Sequence, residues 1–200
     1  MSGIKSAEKS TSLRNKRLIL GNNLLICFVT ISKTVEAKIL SDNPRPNWDR
    51  YFLDMCEAVA RRATCDRGRS GCVIVKDKRI MTTGYVGAPA GLPHCDEAGH
   101  DLRKVFNSNG EVTQHCVRTL HAEQNAIIQA ARFGIPLEGA TLFCKMTPCR
   151  TCAMIIINAG IKRVVCEKRY HADADTIDMF KQAGIELCIM NPEVEKYDKQ

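Results

Sequence analysis

The sequence predicts an α/β fold, a three-layer α/β/α sandwich around a five-stranded mixed sheet. Three observations predict it. Short apolar runs typical of buried strands alternate with segments of helical periodicity. The first two strands are close enough to form a hairpin, whereas the later ones are separated by helices, which favours parallel pairing. A chain of 200 residues is long enough for one sizeable core of this kind.

The first half of the predicted domain contains one helix and a hairpin. Apolar residues recur at helical spacing from Trp48 to Arg62, and Asn47 is a suitable N-cap. Gly71 to Val75 is a short apolar run typical of a buried strand. Asp77-Lys78 predicts a tight turn, and Arg79 to Val86 predicts the second strand of the hairpin.

Three helices and three strands alternate in the second half. Each helix ends before a glycine, a residue that readily ends a helix. The predicted helices are Leu120–Phe133, Cys149–Ala159 and Ala174–Ala183, and the predicted strands are Ala140–Lys145, Arg163–Cys166 and Glu186–Met190.

Residues 1–44 are predicted to be an N-terminal extension, disordered or outside the working core, and residues 45–200 the folded domain. Ser41 to Asn47 carries two prolines and is typical of a linker. The apolar run from Leu18 to Ile31 follows basic residues, as in a signal peptide, but two asparagines interrupt it. The run is also too short to span a membrane, so no membrane partner is predicted.

Charge and cysteine usage limit the function classes. The formal net charge is +7, but residues 1–40 hold seven basic and two acidic side chains, which leaves +2 for the rest. A nearly neutral body argues against a polyanionic partner. The chain has eleven cysteines, and Cys72, Cys144 and Cys166 lie in predicted strands as small hydrophobic residues. This usage indicates a reducing cytoplasmic protein rather than a disulfide framework.

The motif that carries chemistry is His121-Ala122-Glu123, followed by Pro148-Cys149-Arg150-Thr151-Cys152. One imidazole and two thiols leave a fourth position of tetrahedral zinc open to water, which is typical of a catalytic site. Two cysteines three residues apart at a helix start place both sulfurs on one face, where the helix dipole supports thiolates. The combination H-x-E and P-C-x-x-C is the signature of zinc-dependent nucleobase deaminases. C-x-x-C alone would also fit redox or structural zinc sites.

Glu123 is predicted to transfer protons, because as a ligand it would occupy the position that water needs. It would take a proton from the attacking water and deliver it to the ring nitrogen and then to the leaving ammonia. Such transfer typically contributes a factor of about 10² to 10⁴. The alternative is a closed structural zinc site with Glu123 in solvent, but the motif offers no fourth ligand.

At these residues the chain resembles the cytidine/deoxycytidylate deaminase family, from about Arg45 to Lys199. The similar strings include RPNWDRYF, GCVIVKDKRI, TGYVGAPAGLPHCDE, HAEQNAIIQAARFG and TPCRTCA, and within the family they are most similar to the deoxycytidylate branch. The resemblance implies a cytidine deaminase-like fold, catalytic Zn²⁺ at His121, Cys149 and Cys152, and deamination of dCMP to dUMP in pyrimidine metabolism.

The resemblance also implies contacts to substrate and effectors. The backbone near Ala122 is expected to contact the base carbonyl, and Tyr170 to pack on the pyrimidine. Arg132 matches a position associated with regulation, and similar enzymes are often homo-oligomers controlled by dCTP and dTTP. The structural alternatives are a half-buried core tyrosine for Tyr170 and a surface arginine near a helix end for Arg132.

Val86 is a departure from the family pattern. The usual Gly-Tyr-Asn-Gly, whose asparagine grips the sugar, is Gly-Tyr-Val-Gly at residues 84–87. Valine cannot hydrogen-bond a hydroxyl. Sugar recognition is therefore predicted to be reassigned or weakened, since losing a polar partner relaxes discrimination between substrates that differ by a hydroxyl.

The stretch from Gly87 to about Val117 is predicted to be a long irregular loop, and it is rich in potential metal ligands. Loops of this length in compact domains are usually functional or metal-bound. Some nucleotide deaminases similar to this chain carry a second, structural zinc in the corresponding region. The predicted ligand set is Cys65, His94, His100 and Cys116, and the alternative is free thiols with surface histidines.

Two other function classes remain as alternatives. The same zinc chemistry could act on CMP, cytidine, or a base in tRNA or single-stranded nucleic acid. A nucleic-acid substrate would need a basic channel with aromatic residues, which a body charge of +2 and eleven aromatic residues do not support. The other alternative is a non-enzymatic zinc-binding interaction protein, against which the intact Glu123 argues.

Overall fold

A computed structural model describes residues 45–106, 110 and 112–195 of the chain. These residues belong to one compact unit, Arg45–Gln200. The predicted N-terminal extension, residues 1–44, lies outside the described residues, so its role stays a prediction.

The centre of the domain is a five-stranded mixed sheet, as predicted. Its strands, in the order in which they lie side by side, are β2 (Arg79–Tyr85), β1 (Gly71–Lys76), β5 (Thr141–Met146), β6 (Arg163–Lys168) and β7 (Glu186–Ile189). β1 pairs antiparallel with both β2 and β5, whereas β5, β6 and β7 are parallel. The predicted βαβ units therefore supply the parallel half of the sheet, and the hairpin supplies its antiparallel edge.

The predicted turn between β1 and β2 is formed by Asp77 and Lys78, whose φ angles are 51° and 61°. Two consecutive positive φ angles are characteristic of the tight turn that suits the twist of a hairpin. The hairpin register shifts by one residue between Ile74 and Val75, and beyond this irregularity Gly71 lies opposite Tyr85 at the other end of the hairpin.

Helices cover both faces of the sheet, which completes the three-layer sandwich. α1 (Trp48–Ala60) packs on one face, and α3 (Ala122–Phe133), α4 (Arg150–Asn158) and α5 (Ala174–Gln182) contribute to the core on the other. Side chains alternate along β1 in the same way: Val73 and Val75 join the α1 core, and Cys72 and Ile74 join the opposite core.

α1 begins at the predicted cap, because the Asn47 side chain accepts a hydrogen bond from the backbone N–H of Arg50 at 2.8 Å. Phe52 and Leu53 bury its apolar face. Arg163 of β6 donates two hydrogen bonds to the Asp49 carboxylate, at 2.7 and 2.8 Å, and ties the start of the helix to the sheet. Among the described helices, none is long and apolar enough to cross a membrane.

The prediction of an irregular loop from Gly87 to Val117 was wrong. This segment contains a short helix, α2 (Cys95–Ala98), and a separate two-stranded antiparallel sheet of β3 (Leu102–Phe106) and β4 (Val112–Cys116). Most of the hairpin is exposed to solvent. Because neither strand buries an apolar face, the sequence lacks the alternation from which a strand is recognised.

Candidate active site

The site forms where the N-termini of α3 and α4 meet at one face of the sheet. His121 is the N-cap of α3, and its backbone N–H donates to the side-chain oxygen of Gln124 at 3.0 Å. Cys149 is the N-cap of α4 rather than its first helical residue, and Cys152 lies in the first turn. Both segments thus present ligand atoms from helix starts, where the backbone dipole favours negative charge.

The imidazole and both thiols of the motif come together. Nδ1 of His121 lies 3.5 Å from Sγ of Cys149 and 3.4 Å from Sγ of Cys152. The three ligand atoms all lie within 4.8 Å of one another. Zinc bonds of about 2.0 to 2.3 Å in a tetrahedron place neighbouring ligand atoms roughly 3.5 Å apart. The cluster therefore fits a zinc ion without rearrangement of the backbone.

Glu123 lies in the first turn of α3 and is buried, with 8% of its surface exposed. Its Oε2 is 3.9 Å from Sγ of Cys152. Burial raises the pKa of the carboxyl above its usual range. A carboxyl that accepts protons readily beside a metal cluster has the properties of a proton-transfer group.

The two thiols titrate as a pair. The Cys152 thiol and the His121 imidazole lower the pKa of Cys149 to about 4. The Cys149 thiolate in turn raises the pKa of Cys152, and it raises the pKa of His121 to about 9. Without metal, the cluster would therefore pair the Cys149 thiolate with a protonated His121 imidazole. Because metal binding requires thiolates and neutral imidazole, a bound dication would release protons.

A close approach between α3 and β2 positions the start of α3, which carries His121 and Glu123. Gly84 of β2 lies directly against α3, where a Cβ atom would sit 2.2 Å from the carbonyl oxygen of Ala122 and 2.4 Å from the amide nitrogen of Ala126. Only glycine fits there. The side-chain amide of Asn125 donates to the Tyr85 carbonyl at 2.8 Å and fixes the same contact. Sequence reasoning missed both roles, although a glycine inside a strand indicates close backbone approach.

A cavity of about 130 Å³ opens beside the cluster. Its walls include Glu123 and the three predicted substrate-contact residues, Ala122, Val86 and Tyr170. Tyr170 is half-buried, and burial raises the pKa of its hydroxyl to about 12. The structure thus places all three residues around one space, which is what the predicted roles require.

The Tyr170 wall is held by a buried polar network that sequence reasoning missed. The Thr147 hydroxyl donates to the Asp173 carboxylate at 3.1 Å and accepts from the Tyr170 N–H at 3.2 Å. Arg169 donates to both oxygens of Asp173, at 3.0 and 2.7 Å. Asp173 is only 2% exposed, so Arg169 and Thr147 supply the partners that a buried carboxylate needs.

A second group of ligand atoms lies nearby, and it corrects one predicted residue. Cys65, Cys95, His100 and Cys116 hold their ligand atoms within 4.8 Å of one another. His94, which was predicted in the set, is not a member: its Nδ1 lies 3.1 Å from the Thr64 hydroxyl. Cys95 takes its place, because α2 begins there and turns the Cys95 thiol towards Cys116, with the two sulfurs 3.5 Å apart.

Arg132 lies outside both clusters. It is exposed near the end of α3, and its guanidinium stacks 5.8 Å from the centre of the Phe133 ring. Phe133 lines a separate cleft of about 790 Å³ with Gly84, Tyr85 and Asn125. The regulatory role of Arg132 stays a prediction.

The fold and the cluster together define a zinc-binding deaminase domain. A family model described as the cytidine and deoxycytidylate deaminase zinc-binding region matches residues 46–168. The chain belongs to this family of cytidine and deoxycytidylate deaminases, as the resemblance predicted.

Individual relatives support the same assignment. The deoxycytidylate deaminase of Schizosaccharomyces pombe is 36% identical over 171 residues, which cover 85% of this chain and 52% of the relative. The deoxycytidylate deaminase of Mycobacterium phage D29 is 40% identical over 126 residues, or 62% of this chain and 97% of the phage protein. This chain therefore spans about half the length of the fungal relative and nearly all of the phage one.

A solved structure has the same fold. The dCMP deaminase of cyanophage S-TIM5, in complex with dCMP and dUMP, is 28% identical and superposes with a TM-score of 0.59. The match covers 74% of this chain and all of the cyanophage chain. A dCMP deaminase thus shares the fold of this chain.

Proposed function

We propose that this chain is a deoxycytidylate deaminase, which hydrolyses dCMP to dUMP and ammonia in pyrimidine deoxynucleotide metabolism. The observation that carries the proposal is the buried Glu123 beside the His121, Cys149 and Cys152 cluster, at the wall of a cavity. The names of the relatives and the dCMP and dUMP bound to the cyanophage protein support the choice of substrate.

The catalytic zinc would be held by Nδ1 of His121 and by the sulfurs of Cys149 and Cys152. This donor set, with one nitrogen and two sulfurs at tetrahedral spacing, is one that zinc prefers. When bound, zinc supplies a strongly nucleophilic water at neutral pH. Among the described residues, the cluster contains no fourth ligand, so one coordination position of the zinc would be open to water.

Glu123 moves the protons. Its carboxylate accepts a proton from the attacking water and delivers it to the ring nitrogen next to the reacting carbon. It then takes the remaining proton of that water, from the hydroxyl now on the carbon, and gives it to the amino group, which leaves as ammonia as the carbonyl forms. The raised pKa suits this role, because a carboxyl that is neither always charged nor always neutral can both accept and return a proton.

The base is positioned by the start of α3 and by Tyr170. The first N–H groups of a helix have no partner within the helix, so the N–H at Ala122 is available to the base carbonyl. Tyr170 lines the same cavity and offers its ring to the pyrimidine. Thr147 and Asp173 hold the backbone of Tyr170 in place.

The test is ammonia release from dCMP, CMP, deoxycytidine and dCTP, each measured with and without dCTP as an effector. We expect dCMP to be the preferred substrate. The Glu123→Ala variant is the control: it should keep zinc and lose turnover. Loss of zinc from this variant would mean that Glu123 is a ligand, and turnover of another substrate in preference to dCMP would contradict the proposed specificity.

We also propose a second, structural zinc at Cys65, Cys95, His100 and Cys116. Nδ1 of His100 lies 3.7 Å from the Cys65 sulfur, and its Nε2 lies 3.0 Å from the Asp66 carboxylate. A histidine whose second nitrogen bonds a carboxylate is oriented as in many metal sites. Zinc there would join the short helix α2 to the exposed hairpin, neither of which buries much apolar surface.

Metal stoichiometry tests the second site. Purified protein should contain two zinc ions per chain, and the Cys95→Ala variant one. His94→Ala is the matched control and should retain both, because His94 lies outside the cluster. One zinc per chain in the unmodified protein would contradict the second site.

We propose further that the protein is a cytoplasmic homo-oligomer regulated by dCTP and dTTP. Ten described cysteines are free, which suits a reducing compartment. The cleft that Phe133 lines, which lies beside Arg132, would take the effector. Ile80 and Phe133 at this cleft expose 44% and 62% of their surfaces, and such exposed apolar side chains suit a contact between subunits. Light scattering and activity with each nucleotide test this, with Arg132→Ala expected to lose the response.

A further inference from the structure

The cavity wall beside Val86 also carries the hydroxyl of Ser70, which has no role in the mechanism described above. We propose that Ser70 determines sugar specificity, by hydrogen bonding to the 3′-hydroxyl of the substrate while Val86 opposite it presents an apolar surface to the 2′ position. This inference rests on the proposed function, since it takes the substrate to be a pyrimidine nucleoside monophosphate.

Ser70 and Val86 are opposite each other at the end of the β1–β2 hairpin. Gly71 pairs with Tyr85, and the N–H of Val86 donates to the carbonyl of Ser70 at 3.1 Å, which extends the ladder by one more pair. Residues directly opposite in an antiparallel pair place their side chains side by side on one face of the sheet.

That face is the one that bears the active site. Side chains two residues apart in a strand share a face, and Cys72 and Ile74 pack in the core that includes Ala122. Ser70 is two residues before Cys72. On the partner strand, Gly84 lies against the backbone of α3, and Val86 follows it by two. Both side chains of the pair therefore belong to the face on which Glu123 lies.

The Ser70 hydroxyl has no assigned partner. Ser70 is 7% exposed and lines the cavity together with Val86 and Glu123. Among the residues that the structure describes, no side chain or carbonyl accepts from this hydroxyl. Because Ser70 lines the cavity and its hydroxyl has no partner among these residues, the hydroxyl is free to hydrogen-bond a group that enters the cavity.

Another cavity hydroxyl is already engaged. Thr147 bonds Asp173 and the Tyr170 N–H, and so it serves the wall rather than the substrate. Ser70 differs because it sits beside an apolar neighbour and has its hydrogen-bonding capacity free.

The pair matches the chemistry of a deoxyribose. The sugar of dCMP has one free hydroxyl, at the 3′ position, and a methylene at the 2′ position. One hydroxyl beside one branched apolar side chain complements that pattern. CMP would place its additional 2′-hydroxyl against Val86, where it loses water and gains no hydrogen bond. The Ser70–Val86 pair would therefore select deoxyribose without the asparagine that similar proteins have.

The experiment compares kcat/KM for dCMP, for 2′,3′-dideoxy-CMP and for CMP in the unmodified protein and in Ser70→Ala. We expect Ser70→Ala to lower kcat/KM for dCMP by about 10- to 100-fold, mostly through KM, and to leave the dideoxy substrate within about 2-fold. Deleting the hydroxyl of the protein or that of the substrate should cost the same, and deleting both should cost no more. Ser70→Thr keeps the hydroxyl and should retain most of the activity with dCMP.

The Val86 half of the pair is tested with Val86→Thr, which has nearly the same shape and adds a hydroxyl. It should raise the CMP to dCMP ratio of kcat/KM by about 10-fold. Arg79→Ala, an exposed change on the same strand, is the control and should alter neither ratio.

The outcomes are distinguishable. If Ser70→Ala lowers kcat/KM equally for dCMP and its dideoxy analogue, or for neither, Ser70 does not read the 3′-hydroxyl. If Ser70→Ala does not fold, Ser70→Cys keeps the size of the side chain, weakens its hydrogen bond and must show the same selective loss. If the unmodified protein does not turn over dCMP, the proposed function itself fails, whatever the variants do.

Discussion

The two ligand clusters are assembled in different ways. His121, Cys149 and Cys152 belong to two helix starts that rest on the central sheet. Cys65, Cys95, His100 and Cys116 come from three separate stretches around an exposed hairpin. The first cluster is held by the core of the domain, whereas the second has little core beneath it. This difference suits the proposed roles, in which metal at the first cluster would serve chemistry and metal at the second would serve structure.

The clusters are nevertheless neighbours. Cys65 and Cys116 line the same cavity as His121 and Glu123. A metal at the second cluster would thus stabilise one wall of the cavity without contacting the reacting atoms. Changes at the first cluster should affect turnover, and changes at the second should affect stability.

The largest effect should come from Glu123→Gln. It removes the proton-accepting carboxylate and keeps the shape, so kcat should fall by about 10² to 10⁴. Zinc content and Tm should not fall, because a buried carboxyl whose pKa burial raises is costly to keep charged. Glu57→Gln on the exposed side of α1 is the control. A similar loss of kcat in Glu57→Gln, or a loss of zinc from Glu123→Gln, would contradict the division of roles.

Cys95→Ala should have the opposite profile. The free energy of binding a structural zinc contributes to folding, so its loss should lower stability by about 3 kcal/mol, or roughly 10 °C in Tm. The variant that remains folded should keep kcat within about 10-fold. Thermal unfolding is measured alongside His94→Ala, which should unfold close to the unmodified protein. Equal Tm values for the two variants would show that Cys95 holds no stabilising metal.

Gly84→Ala tests the dependence of the first cluster on the sheet. The added methyl would meet the Ala122 carbonyl and the Ala126 amide, so α3 must shift away from β2. Such overpacking costs about 1 to 3 kcal/mol, and it should also lower kcat because Glu123 moves with the helix. Denaturant unfolding and steady-state kinetics measure the two effects. Thr83→Ala, its exposed neighbour, should change neither, and a fully active Gly84→Ala would refute the contact.

The smallest effect should come from Asp49→Asn, which belongs to neither cluster. The hydrogen bonds from Arg163 lower the pKa of Asp49, so the ion pair stabilises the protein above the ordinary pKa of the carboxyl. This contribution is lost as the pH falls through the lowered pKa. The pair is partly solvent-exposed, which limits it to about 1 kcal/mol or less.

The measurement is the difference in unfolding free energy between Asp49→Asn and the unmodified protein. It should be largest near pH 7 and should shrink below about pH 4, in the direction that linkage requires. This baseline separates acid effects on the fold from acid release of the zinc proposed at the two clusters. A difference that grew on acidification would refute the assignment to Asp49.

The elements that bury apolar faces were predictable. Each predicted strand of the central sheet is present within about two residues, and so are the helices α1, α3, α4 and α5. Periodicity reveals such elements because the core imposes it. The hairpin of β3 and β4 and the short helix α2 were missed, because they are held by pairing and by their neighbours rather than by a buried face.

The sequence by itself determined the fold class, the family and the ligand residues of the first cluster. His121, Glu123, Cys149 and Cys152 lie in two short motifs whose spacing fixes their geometry as soon as each segment starts a helix. Tertiary structure alone decided that Cys95 replaces His94 in the second cluster and that Ser70 lies opposite Val86. Those pairings depend on register and on where separate segments meet, and residue spacing along the chain does not encode contacts between distant segments.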